Sequence, residues 1–185
     1  IGIFKKLAIE DGKIDYLKQA IFLANRAKQY LNLPVSIATS SKRDLDYLYK
    51  EQASIFDHII EIPDVYDNTK RYYNGSLNYE YLLFKNYNRT NSYNLSPYNK
   101  TLVMDTDVII CNDSLSKAFD MVEDFQIYRH CVDLCDWRDS SEFNFINDIG
   151  IPFYWATCFY FKKTANTKIF FDLMKHLEKN WIHYS

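Results

Sequence analysis

Glycine and proline are scarce in this chain, four of each in 185 residues. So few chain breakers argue against a loop-dominated fold. The scarcity also removes two common ways of holding phosphate: neither G-x-G-x-x-G nor G-x-x-x-x-G-K-[ST] occurs. Charge of one sign is missing too. The formal net charge is −2, without the basic stripe of a general nucleic-acid binder. No apolar run approaches the ~18 residues a membrane span requires, and no signal-peptide pattern opens the sequence. Cysteine is sparse and forms no framework. Cys111 and Cys158 fall in apolar, strand-like runs and read as small core residues. Cys131 and Cys135, beside His130, lack the spacing of structural zinc pairs. A reduced, cytoplasmic setting is expected. The N-x-[ST] triplets of so Asn-rich a chain carry little weight.

What is present is apolar and aromatic. Hydrophobic residues make up 48%, with 16 Tyr and 13 Phe, enough for a sizeable core in one domain spanning 1–185. A chain that opens on Ile1 and stops at Ser185 is read as a piece of a longer frame.

Periodicity predicts alternating elements. A first strand is expected at Lys6 to Ile9, then a helix from Lys13 to Leu31 on Ile14, Leu17, Ala20, Ile21, Ala24, Ala27 and Leu31. Strands follow at Val35 to Ala38 and His58 to Ile62, with a helix from Asp44 to Gln52 between them, anchored by Leu45 and Leu48. Asp64 to Gly75 reads as a mobile loop and Ser76 to Tyr87 as a helix. Thr101 to Met104 and Val108 to Cys111 read as strands, Ser114 to Val122 as a short helix and Phe125 to Val132 as strand-like. Asp133 to Gly150 is irregular and acidic. Phe153 to Phe161 is an aromatic strand, and Ala165 to Trp181 a helix on Ile169, Phe170, Leu173, Met174 and Leu177. Strands alternating with helices imply an α/β fold with a largely parallel, doubly wound sheet.

Asp105-Thr106-Asp107 stands where the Thr101 strand runs out. On extended chain, two carboxylates one residue apart project the same way. Such a pair suits a hard divalent cation, which takes oxygen ligands. Ligands of open α/β sheets gather beyond the carboxyl ends of strands. A solvated turn explains the same residues, and the spacing alone leaves both readings open. Asp44-Leu45-Asp46 has the same spacing and is read as an accident, in the first turn of a helix where acids complement the helix dipole.

The stretch T-L-V-M-D-T-D-V-I-I-C-N-D-S-L, from Thr101, resembles the D-x-D block of glycosyltransferases with the GT-A fold, closest to the family 8 type that includes glycogenin. I-P-F-Y-W-A-T-C-F-Y-F-K-K, from Ile151, resembles that family's later strand, where Phe-Asn-Ala-Gly usually stands. The resemblance implies that Asp105 and Asp107 hold Mn²⁺ (or Mg²⁺) and, through it, the diphosphate of a UDP-sugar donor, with Thr106 between them. It implies that Ala8, Ile9 and Glu10 meet the base and ribose. Tyr16 matches a base-stacking aromatic, although a half-buried helix residue is the plainer account of it. Lys85 falls near a basic residue that faces the donor. Trp155, Ala156 and Thr157 occupy the Asn-Ala-Gly region near the donor sugar and acceptor, or pack as a hydrophobic wall.

The family's further metal ligand, a His in an H-x-x-G-x-x-K-P-W stretch, has no counterpart. His176 and His183 lie outside any such pattern, which leaves a chain truncated before it, or a shell completed by water or another residue. An inverting reaction needs a carboxylate base near the acceptor hydroxyl. Glu142 and Asp148 are the candidates, Asp148 being carried forward as catalytic. A retaining reaction, the habit of family 8, needs none. The expected function is metal-dependent sugar transfer to a glycan or other hydroxyl acceptor. The alternative is a catalytically degenerate GT-A domain that binds a nucleotide sugar or glycan as a scaffold. A sugar-1-phosphate nucleotidyltransferase would need a Gly-rich loop that Ile9 to Lys13 does not supply.

Overall fold

The computed structural model describes residues 3–4, 15–63, 70–72, 79–81, 87–129, 132 and 154–180. These form a mixed α/β arrangement. Strands β1 (Ile3–Phe4), β2 (Ser36–Thr39) and β3 (His58–Glu61) make a parallel sheet in the order β1-β2-β3. Strands β4 (Lys70–Tyr72) and β5 (Tyr79–Tyr81) form an antiparallel pair. Strands β6 (Lys100–Met104), β7 (Phe125–Tyr128) and β8 (Trp155–Lys162) form a third sheet in the order β6-β8-β7, with β8 antiparallel to both neighbours. The expectation of one largely parallel sheet is therefore corrected for the second half of the chain. A strand buried on both faces is a continuous apolar run whichever way it points, so composition did not reveal the direction of β8.

Helix α1 (Tyr16–Leu31) joins the two three-stranded sheets. Asp15 caps it by accepting from the amide of Lys18 at 3.0 Å. Asn32 ends it in the left-handed conformation at φ 52°, the role glycine commonly fills. Leu17, Ala20 and Ala24 pack with Ile37 of β2, Leu45, Ala53 and Phe56. Leu23, Ala27 and Leu31, one step round the helix, pack with Met104, Ile110 and Cys158. One apolar face thus serves two sheets, and Leu23 belongs to the core although the predicted face omitted it. A second tie is polar: the Ser36 and Tyr98 hydroxyls lie 2.6 Å apart.

The other face of the β6-β8-β7 sheet is aromatic. Helix α4 (Ala165–Lys179) presses Phe171, 1% exposed, against Phe159 and Phe161, with Tyr93 and Phe125 at the edge. The ring centroids of Phe171 and Phe161 lie 5.0 Å apart, edge to face. The predicted apolar face of α4 is corrected here, since Ile169 is 67% exposed and Leu173 is also exposed.

Other departures are local. α2 (Lys42–Leu48) is shorter than expected and is followed by a 3-10 turn at Gln52–Ile55, with Leu45 buried but Leu48 exposed. β4 and β5 stand inside the predicted loop and helix at 64–87. A 3-10 turn at Tyr87–Asn91 runs into the short helix α3 (Ser92–Leu95), which periodicity missed. The run Val108 to Cys111 is not a strand, and Cys111 is exposed rather than core. Ser114–Phe119 is a 3-10 turn. The expected strand at Lys6 to Ile9 lies outside the described residues. Among the described residues no helix is long and apolar enough to cross a membrane.

Candidate functional site

β6 ends at Met104, so Asp105-Thr106-Asp107 lies in a turn and not on extended chain. The amide of Val108 donates to the carbonyl of Asp105 at 3.3 Å and closes that turn. The expectation that the two carboxylates share a face through strand geometry is corrected accordingly. Thr106 is buried, Asp107 exposed, and Asp105 lies between these extremes. The amide of Asp105 donates to the carbonyl of Thr157 at 2.8 Å, extending the register in which Met104 pairs with Cys158. This antiparallel ladder brings together two segments singled out from the sequence, the acidic couplet and Trp155-Ala156-Thr157. All three residues of the latter are half-buried, and Trp155 faces Tyr128 across the sheet.

The residue that sequence reasoning missed is Arg89. Its guanidinium Nη2 forms an ion pair with Asp105 Oδ2, the two side chains being 21% and 29% exposed. The expected basic residue was Lys85, which lies outside the described residues. Arg89 is the only Lys or Arg between Lys85 and Lys100, but nothing in the sequence marks it as buried. One bond holds its backbone and another its neighbour. Ser92 Oγ donates to the Arg89 carbonyl at 2.6 Å. Thr90 Oγ1 donates to Glu178 Oε2 on α4, also at 2.6 Å.

Burial pushes the Asp105 carboxyl above the ordinary carboxylate range. Arg89 pulls it down and the like charge of Asp107 pushes it up, and burial prevails. An ionised Asp105 in this setting needs a cationic partner. The two carboxylates are oxygen donors of the kind Mg²⁺ and Mn²⁺ take. Among the described residues no group of three or more His, Cys, Asp or Glu is assembled for a metal. Two carboxylates alone would leave most of a Mg²⁺ shell to be filled by water or a ligand's oxygens.

Tyr16 begins α1 and packs, half-buried, against the cluster of Leu17, Ala20, Ile37 and Leu45. Ala8, Ile9, Glu10, Glu142 and Asp148 lie outside the described residues. His176, in the last turn of α4, is 3.5 Å from the Asn180 side-chain nitrogen. Asp44 lies in the first turn of α2, as expected, and Asp46 lies beyond that turn. A cavity of about 210 Å³, lined by Leu102, Met121, Gln126 and Tyr160, lies under β6 and β8 and does not border the couplet. No family model, curated protein or solved structure matches this chain.

Proposed function

We propose that this chain is a metal-dependent glycosyltransferase that moves a sugar from a nucleotide diphosphate, UDP by resemblance, to an acceptor hydroxyl. The observation that carries this reading is the Asp105 amide to Thr157 carbonyl bond at 2.8 Å. It sets the acidic couplet beside the segment that the resemblance assigns to donor sugar and acceptor. The finer fold, a GT-A-type doubly wound sheet, is part of the same proposal. The parallel β1-β2-β3 sheet and the position of the couplet past the carboxyl end of β6 support it.

In this reading Asp105 and Asp107 hold Mn²⁺ or Mg²⁺ against the donor's diphosphate. When bound, the cation neutralises charge that builds on the departing diphosphate. Asp105 is fixed for this task by its backbone bonds to Thr157 and Val108. Asp107, exposed, is the carboxylate open to solvent. Thr157 and its neighbours shape the place where an acceptor hydroxyl meets the anomeric carbon, so their contribution is positional. UDP is expected to bind only with Mn²⁺ or Mg²⁺ present, and Asp107→Ala to abolish that dependence. Equal UDP affinity of the unaltered protein in chelator and in metal would reject the assignment.

The pairing of Asp105 with Arg89 favours a second reading, a degenerate GT-A domain that binds a nucleotide sugar or glycan as a scaffold. UDP-sugar hydrolysis or transfer separates the two, since only the enzyme releases UDP.

A further inference from the structure

Where α1 passes from one three-stranded sheet to the other, the packing leaves a cavity of about 260 Å³. Its apolar wall comes from Ala27 and Leu31 of α1, Val35, Leu102 and Met104, and Phe119. Its polar side chains are Ser36, Tyr98, Lys100 and Thr101. Thr101 is already engaged, its Oγ1 lying 2.6 Å from Ser96 Oγ. The other three have donors to spare. The Ser36 and Tyr98 hydroxyls share one bond at 2.6 Å, which uses one of their two protons. The Lys100 ammonium carries three N–H groups and gives one to the Phe119 carbonyl at 2.9 Å. Among the described residues no carboxylate side chain lines this cavity.

An apolar chamber with a few polar groups on its wall is the ordinary form of a small-molecule site. Drug-sized pockets start at about 300 Å³, so this one takes something smaller. A cavity of about 150 Å³ holds benzene, and by proportion this one holds about ten non-hydrogen atoms. Surplus donors and a full positive charge select an anionic, acceptor-rich head. We propose that this seam binds a small monocarboxylate with an apolar body, its chain against Ala27, Leu31 and Leu102 and its carboxylate on Lys100, with a hydroxyl of the Ser36–Tyr98 pair as second donor. Lys100 is an exposed residue, so the head lies at the mouth and stays partly hydrated, which avoids the desolvation cost of a fully buried ion pair. None of the lining residues belongs to the acidic couplet or to Trp155-Ala156-Thr157, and the inference stands apart from the nucleotide-sugar reading. Such a ligand bridges α1 to β6, and because it binds only the folded chain it stabilises that junction.

The test is titration calorimetry on the whole chain with octanoate, octan-1-ol and octylamine, which share a chain and differ in the head. Octanoate is expected to bind tightest, octan-1-ol about tenfold or more weakly, in keeping with the strength of hydrogen bonds to charged groups, and octylamine not detectably. Lys100→Met should cost octanoate that same factor and leave octan-1-ol unchanged, whereas Lys100→Arg, which keeps the charge, should retain most of the octanoate affinity. Leu33 is half-buried on the cavity wall, and Leu33→Trp should fill the space and abolish binding of both. If that variant does not fold, the exposed Lys100 pair still decides the matter. Absence of octanoate binding, equal affinity for octanoate and octan-1-ol, octanoate affinity unchanged by Lys100→Met, or octanoate affinity unchanged in a folded Leu33→Trp each overturns the proposal.

Discussion

Thr90 and Glu178 are joined by a 2.6 Å hydrogen bond that runs from the 3-10 turn bearing Arg89 to the last turn of α4. The turn whose guanidinium meets Asp105 is therefore tied to a helix residue 88 positions beyond Thr90. Glu178→Ala is expected to cost about 1–3 kcal/mol of stability, the usual penalty for stranding a partly buried polar partner. Urea unfolding reads the effect, and an unchanged midpoint would mean that this bond does not hold the turn to the helix.

Asp105 and Asp57 are expected to tilt stability in opposite senses with pH. The folded Asp105 carboxyl lies above its unfolded value because of burial, so its contribution is full below about pH 4 and is lost as pH rises through the folded pKa. Asp57 is lowered, first by the Val35 amide at 2.8 Å and then by Lys28. Its contribution is present above about pH 4 and is lost as pH falls through the folded pKa. Asp105→Asn should remove a falling limb from the pH profile of urea midpoints, and Asp57→Asn a rising one. Parallel profiles for all three proteins would contradict both assignments.

Phe171→Ala should cost about 3–5 kcal/mol, as large-to-small changes of buried aromatics do. Ile169→Ser, two positions away on the same helix but exposed, should stay within about 0.5 kcal/mol. Thermal or urea unfolding of the pair decides which face of α4 is the inner one, and equal effects would refute the packing described.

Tyr160 is 1% exposed, and its hydroxyl has no hydrogen-bond partner among the described residues. Tyr160→Phe deletes that orphan and keeps the ring that meets Phe119 edge to face at 5.2 Å. A gain of about 1 kcal/mol is expected, at the lower end of the cost of an unsatisfied buried group. A loss of similar size would reveal a partner for the hydroxyl.

Much of the element order was legible because α1, β2, β3 and β6 carry strong local signals. Leu17, Ala20, Ala24, Ala27 and Leu31 recur at helical spacing, and Val35 to Ala38 is a short, mostly apolar run before a polar break. The acidic couplet was legible as a feature, since it interrupts an apolar run. The direction of β8 was not, because pairing partners are chosen by tertiary contact and not by composition. The inner face of α4 was misread for a related reason. Its apolar residues surround the helix, and only the aromatic surface of β8 selects Phe171 among them. Arg89 was missed because a lone cation in a polar stretch looks like any surface residue until the partner across the fold is known.

Helix α1 is made well before its far wall, since Leu23, Ala27 and Leu31 pack against Met104, Ile110 and Cys158. A nascent chain that has not yet emitted Cys158 would carry this helix with half its greasy stripe bare. Contacts so distant in sequence are slow to close and exposed to aggregation while they wait. The stretch of synthesis between α1 and β8 is thus the interval in which this helix face lacks part of its partner.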